Sequence, residues 1–228
     1  MDDEFDAGNM FQDPEGYYPE DEPPTFAEHT MLSGQKVRVR LVGSHPLYGN
    51  LLWNAGRTSS HYIEEHTEDL IRNKDVLEIG AAAGVPSIVS AIQGARTVVL
   101  TDYPDPDLVG NMKYNAELSA SAIPARGRRK APPPRRWIQM GQRSDYEEGP
   151  ELCCSGYLHS YQPWLLPKTE QFFPLAEASG FNVTKIFEKV VDAVLFENDP
   201  GDERLRRTVF GYEIRWAQDQ LEDSSKTV

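Results

Sequence analysis

Cysteine is scarce in this 228-residue chain: there are two, Cys153 and Cys154, and they are adjacent. Neighbouring cysteines make a poor staple, so no disulfide framework is predicted and the chain reads as intracellular and cytoplasmic. Long apolar runs are also lacking. None reaches the roughly 18–20 residues that span a bilayer, and no membrane partner is expected. The opening Met1-Asp2-Asp3-Glu4 has no basic n-region, which argues against a secretory signal. Lysine and arginine are missing from the first 35 positions, which hold ten acids, among them Asp2, Asp3, Glu4, Asp6, Asp13 and Glu15. The net charge of −13 is therefore concentrated there, and the rest of the chain is nearly balanced. A general nucleic-acid partner needs a basic face and is not expected.

What is present is enough for one α/β domain: 39% hydrophobic and 26% charged residues. Residues 1–30 combine acids with Pro14, Pro19, Pro23 and Pro24, and are predicted to be a flexible acidic leader. From Val37 to Val42 apolar and polar residues alternate, as in a half-buried strand. A helix is expected over Thr58–Arg72. Asp75–Gly80 reads as a buried strand running into a glycine turn. Ala81–Gln93 continues as a small-residue helix with Pro86 in its first turns, and Arg96–Asp102 is a second buried strand ending in an acid. Strand, glycine turn, helix and strand form the repeating unit of a parallel sheet. Leu108–Leu118 is the next helix.

The pattern then breaks. Ser119–Arg143 holds Pro124, Pro132, Pro133 and Pro134 and seven basic residues without one acid, a linker-like composition. Asp145–Ser160 is also irregular. Lys168–Ser179 resumes as an amphipathic helix stopped by Gly180. Phe181–Val191 and Arg207–Trp216 follow as strands around the polar turn Glu197–Asp202, an antiparallel pair.

The chemistry is concentrated at two places. Glu78-x-Gly80-x-Ala82-x-Gly84 follows a strand and opens a helix. Gly80 permits a tight turn. Small residues at Ala81, Ala82 and Gly84 let a ligand approach backbone, and the helix N-terminus offers free N–H groups. Asp102 ends the next strand, where an acid can accept hydrogen bonds from ribose hydroxyls. A dinucleotide loop needs glycine where this chain has Ala82 and Val85, which disfavours a nicotinamide-linked oxidoreductase. An acid followed by Gly-x-Gly-x-Gly, the S-adenosylmethionine pattern, is met except at Ala82.

Several blocks together carry a family resemblance. They are Leu41–Gly56 with Trp53 inside it, Val76–Val89, Thr101–Leu108, Tyr161–Leu166 and Leu205–Trp216. The sequence resembles the fungal elongation factor methyltransferases of methyltransferase family 16. These modify the N-terminus and adjacent lysine of translation elongation factor 1-alpha. The resemblance implies a seven-strand Rossmann-like class I methyltransferase fold of strand order 3-2-1-4-5-7-6. It implies S-adenosylmethionine as cofactor, held by Trp53, Glu78, Gly80, Ala81, Ala82, Gly84 and Asp102. A protein substrate, translation elongation factor 1-alpha, is the implied partner.

Against that fold, the central strands three and four are expected to be missing or replaced, with strand five a remnant near Cys153–Tyr161. The domain plan is accordingly a leader over 1–30, a cofactor-binding half over 31–118, and a Pro/Arg-rich insert or aberrant segment over 119–158. A C-terminal helix and strand pair over 159–217 and a polar tail over 218–228 complete it. A retained intron or shifted reading frame would account for 119–158. No metal ligands and no catalytic base are assigned. Two alternatives stay open: a small-molecule N-methyltransferase of the nicotinamide type, and a truncated, catalytically inactive product.

Overall fold

The computed structural model describes residues 22–45, 48–123, 137–140, 157–161, 172–195 and 202–216. Strands β1 (Thr25–Thr30) and β2 (Lys36–Leu41) form an antiparallel hairpin, with Thr25 opposite Leu41 and Thr30 opposite Lys36. Gly34, at φ 84°, turns the chain between them. The alternation read in β2 is observed: Val37, Val39 and Leu41 are buried. Residues 25–30, expected to belong to the flexible leader, are a strand. Their own apolar content is low, and it is the ladder presented by β2 that makes them one. Residues 1–21 lie outside the described residues.

Helix α1 (Asn54–Glu65) begins four residues before the expected start and breaks at His66, where φ is −117° and ψ 27°. The four-residue α2 (Thr67–Leu70) follows. The break has a local cause. The Thr67 hydroxyl donates back to the carbonyls of Ile63 at 3.1 Å and Glu64 at 3.0 Å, a pattern that bends helices.

The parallel unit forms in the order read, with β3 (Asp75–Ile79), α3 (Val85–Ile92), β4 (Thr97–Thr101) and α4 (Pro106–Ser119). α3 starts at Val85 rather than Ala81, because 81–84 form the turn, and β3 is partly exposed where a buried strand was expected. β3 and β4 pair from Asp75 opposite Thr97 to Ile79 opposite Thr101. Val85, Ile88, Val89, Val98, Leu100 and Met112 form one core with Val37, Val39 and Ile63. α4 is tied to the hairpin through two buried amides. Asn115 Oδ1 accepts the Arg40 N–H at 2.7 Å, and the side-chain amides of Asn111 and Asn115 both donate to the Arg40 carbonyl.

A strand occupies the third place, inside the segment where strands three and four were expected to be missing or replaced. β5 (Trp137–Met140) pairs in parallel with the far side of β4, with Val98 opposite Trp137. Its Trp-Ile-Gln-Met sequence is too short to register against the flanking prolines and arginines. The unpaired edge of β4 supplies the order that the local composition does not. Residues 124–136 and 141–156, including Cys153 and Cys154, lie outside the described residues.

A second sheet has the order β6-β8-β7 and is antiparallel throughout. It comprises β6 (Tyr157–Tyr161), β7 (Phe181–Val190) and β8 (Thr208–Trp216), with α5 (Phe172–Ala178) and α6 (Glu203–Arg207) preceding β7 and β8. β6 falls where a remnant of strand five was expected. The Phe187 ring lies over Gly211, where an added Cβ would be 2.2 Å away. Residues 168–171, Glu197–Gly201, Gln162–Leu166 and 217–228 lie outside the described residues. Helix α1 connects the two sheets: it packs on α3, the Tyr62 ring meets that of Phe187 at a tilt with centroids 5.2 Å apart, and the Asn54 amide donates to the Ala193 carbonyl.

Laid against the expected order, β5-β4-β3 corresponds to its first three places and β6-β8-β7 to its last three. The fourth place of that order, 3-2-1-4-5-7-6, is unfilled among the described residues. Burial records the gap. β4 is buried at Val98, Val99 and Leu100, whereas every residue of β3 is at least partly exposed. Ile79, at the end of β3, is 74% exposed. A strand-one residue in a complete sheet of this order has neighbours on both sides.

Candidate functional site

The site is built where β3 ends. Three positive φ values in five residues fold the turn: Gly80 at 70°, Ala82 at 45° and Gly84 at 74°. Glycine suits two of these positions; Ala82 carries the strain of a left-handed backbone with a side chain. The Ala81 N–H donates to the Thr101 carbonyl at 3.0 Å and extends the β3–β4 ladder by one bond. An added Cβ at Gly84 would stand 2.5 Å from Leu100 Cδ2, so Gly84 lets the turn close on β4. At Gly80 a Cβ would meet nothing within 4 Å among the described residues, so that flank of the turn is open to them. The Asn115 amide donates to the Ala83 carbonyl at 3.1 Å and fixes the turn to α4.

The two acids close the turn from either side. Asp102 Oδ2 accepts the Ala82 N–H at 2.6 Å, and Oδ1 accepts the Tyr103 N–H at 2.6 Å. Glu78 Oε2 accepts the Ser87 N–H at 2.9 Å, using one of the free donors in the first turn of α3. Burial pushes the Glu78 carboxyl up to about 7, opposed by the hydrogen bonding from Ser87 and assisted by the Asp102 charge. Thr101 Oγ1 donates to the Glu78 carbonyl, fixing the acid's own backbone.

Trp53 sits immediately before α1. Its indole N–H donates to the Tyr48 carbonyl at 3.1 Å, and the Tyr48 ring stands edge-on at 6.4 Å. α1 packs on α3, with Gly56 facing Pro86, and this brings the α1 N-terminus to the α3 N-terminus. The structure thus gathers Glu78, Gly80, Ala81, Ala82, Gly84 and Asp102 around one turn, and brings Trp53 to the same end of α3 through helix packing. Sequence reasoning missed Ser87 and Asn115. Ser87 had a usable signal, being in the first turn after the glycine loop; Asn115 had none, because its partners are distant in sequence.

These residues fit S-adenosylmethionine. A carboxylate has about four acceptor positions, so Asp102 keeps capacity for ribose hydroxyls beyond its two backbone bonds. The open flank at Gly80 and the remaining N–H groups at the head of α3 suit a carboxylate-bearing ligand.

A lysine methyltransferase family model matches residues 40–127, which span the turn and Asp102. Among solved structures, the 16S rRNA N2 G1207 methyltransferase of Thermus thermophilus, in complex with AdoMet and guanosine, superposes with a TM-score of 0.50 at 13% identity. It covers 88% of this chain and 52% of that one. Fold and turn together define a class I, S-adenosylmethionine-dependent methyltransferase. Protein N-terminal and lysine N-methyltransferases of Aspergillus fumigatus and Emericella nidulans are 58% and 56% identical to the chain. The first alignment covers 94% of this chain and 96% of the relative, and the second 97% and 100%. The counterpart in Schizosaccharomyces pombe is 34% identical over 93% of this chain and 97% of its own length. The chain belongs to this methyltransferase family and is an enzyme of that class. The Aspergillus alignment runs over 248 positions, more than the 228 residues of this chain, so the relative has residues with no counterpart here.

Proposed function

We propose that this enzyme methylates the N-terminal amine and the adjacent lysine of a protein substrate, translation elongation factor 1-alpha, in the cytoplasm. The names of its relatives support an acceptor that is a protein amine. The sequence blocks around Trp53, Gly80 and Asp102 support the particular substrate by family resemblance. Among the described residues no helix is long and apolar enough to cross a membrane.

The observation that carries the cofactor assignment is the Asp102–Ala82 closure at the end of β4. In this reading Asp102 takes the ribose, and Gly80, Ala81, Ala82 and Gly84 present backbone to the ligand. Glu78 holds the loop to α3 and faces the cationic end of the amino-acid portion, and Trp53 closes the cleft. S-adenosylmethionine, when bound, supplies a methyl group on a sulfonium, open to attack by an amine. The protein's part is alignment and exclusion of water. An α-amino group, at about pKa 8, is neutral far more often near pH 7 than a lysine at about 10.4. The N-terminal amine therefore needs no strong base, and none is assigned.

The test is mass spectrometry of elongation factor 1-alpha after incubation with the enzyme and cofactor. Mass added in methyl steps at the N-terminal residue supports the proposal. Methylation confined to a small amine such as nicotinamide overturns it. The open edge of β3 favours one further reading: this form holds cofactor but lacks the strand that completes the acceptor mouth. Cofactor binding without transfer to any amine is its signature.

A further inference from the structure

Outside the cofactor turn, three metal-ligating side chains converge between the hairpin and α1. His29 lies on β1; His61 and Glu64 are one turn apart on α1, a spacing that puts both on one helix face. One ligating atom from each lies within 4.8 Å of the other two. His29 and Glu64 are deeply buried, with side chains 1% and 3% exposed, and face each other at 4.0 Å between Nε2 and Oε1. That separation is too long for a hydrogen bond, and among the described residues neither atom has a hydrogen-bond partner. Burying two such polar atoms without a partner is costly, and their opposition points to something between them.

We propose that His29, His61 and Glu64 bind a divalent transition-metal ion, which staples the N-terminal hairpin to α1. Two imidazoles and one carboxylate form the donor set of three-ligand zinc sites, the fourth position being left to water. The surroundings orient the ligands as such sites require. Glu64 Oε2 accepts the Leu32 N–H at 2.9 Å, leaving Oε1 to the cleft. The His61 Nε2 contacts the Thr30 carbonyl at 3.0 Å; as a donor there it leaves Nδ1 its lone pair. The His29 and His61 rings lie 4.8 Å apart. Ligand atoms on a tetrahedral ion with bonds of about 2.0–2.1 Å stand about 3.4 Å apart, so these atoms, now within 4.8 Å of one another, would each move inward by up to about 0.8 Å. Arg57 is the opposing charge nearby, and its guanidinium is drawn off onto the Glu28 carbonyl.

The probe is zinc chloride, titrated calorimetrically into the full chain after chelator treatment, with metal content measured on the dialysed product. One zinc per chain is expected, with a melting temperature several degrees higher at large excess over Kd. Glu64→Gln keeps the shape of the site and His61→Ala removes a half-buried ring. Each should lower zinc affinity at least tenfold while circular dichroism stays that of the parent. A variant with both Cys153 and Cys154 changed to serine should bind as the parent does. No zinc uptake by the parent, or equal uptake by Glu64→Gln and His61→Ala, overturns the proposal. Loss of uptake in the serine variant does so too, because the ion then sits on the thiols.

Discussion

The carboxylate of Asp102 holds the backbone of Ala82: Oδ2 accepts the Ala82 N–H at 2.6 Å across the mouth of the β3–α3 turn. The acid thus shapes the turn as well as standing beside it. Ala82 has a left-handed backbone at φ 45°, and the bond from Asp102 is one of the contacts that keep it there.

Replacing this acid separates charge from geometry. Asp102→Asn keeps one acceptor oxygen and loses the charge; Asp102→Ala loses both. A charge-assisted hydrogen bond contributes about 1.5–3 kcal/mol, so S-adenosylmethionine affinity should fall roughly tenfold in the first and a hundredfold or more in the second. Equilibrium dialysis with labelled cofactor measures both. Equal, small losses in the two would show that the ribose is held elsewhere.

The glycines of the turn should fail in different ways. Gly80→Ala meets open space, so its stability cost is that of a positive φ, about 1 kcal/mol, while its methyl intrudes on the open flank. Gly84→Ala adds a clash with Leu100 at 2.5 Å to the same backbone penalty, and should cost about 2–4 kcal/mol. Urea melts should therefore rank Gly84→Ala as the less stable, and cofactor affinity per folded molecule should rank Gly80→Ala as the weaker.

Asn115→Ala removes the acceptor of the Arg40 N–H and donors to the carbonyls of Arg40 and Ala83 in one step. Buried groups left unpaired cost about 1–3 kcal/mol each, and a total near 3 kcal/mol is expected. For a chain of this size that lowers the melting temperature by roughly 5–15 °C by calorimetry. A drop within two degrees would mean the turn is not anchored through α4.

The raised Glu78 carboxyl makes stability depend on pH with a definite sign. Its folded pKa, about 7, lies above the ordinary 4.5, so folding favours the protonated form. That contribution is complete below about pH 4.5 and is lost as pH rises through about 7. His29 works the other way: burial, with His61 and Arg57 nearby, lowers it to about 4, so its contribution is lost as pH falls below 6.5. Comparing the parent with Glu78→Gln isolates the first effect. Glu78→Gln should gain stability relative to the parent between pH 5 and pH 8, measured by denaturant midpoints. A constant difference across that range contradicts the shift.

The fourth strand position, unfilled among the described residues, has its own consequence. Inserting the residues that the Aspergillus relative has and this chain lacks should cover Ile79 and the rest of β3. Burying a large aliphatic side chain contributes about 1.5–3 kcal/mol, so the extended chain should be more stable by several kcal/mol in urea. Slower hydrogen exchange at β3 should accompany the gain. Genomic and complementary DNA read across residues 119–158 test the origin of the gap, and one uninterrupted frame there argues against a splicing or frame error.

How much of this was legible depended on whether a signal was local. β3, α3 and β4 could be read because buried strands announce themselves by runs such as Val98-Val99-Leu100, and Gly80 and Gly84 mark the turn between them. Glu78 and Asp102 were found by their places at strand ends. β1 was read as leader because Glu28, His29 and Thr30 have no apolar pattern; the strand exists through pairing with β2. β5 was hidden among prolines and arginines, and its order comes from β4. Asn115 and the His29–His61–Glu64 cluster were out of reach for the same reason, since each joins elements more than 30 residues apart.

The most direct test of the account is isothermal titration of the intact 228-residue chain with S-adenosylmethionine, alongside Asp102→Ala. The account predicts saturable binding at one site in the parent, lost or greatly weakened in the variant, with both samples folded by circular dichroism. A folded parent that takes up no cofactor, or a variant that binds as tightly as the parent, would contradict it.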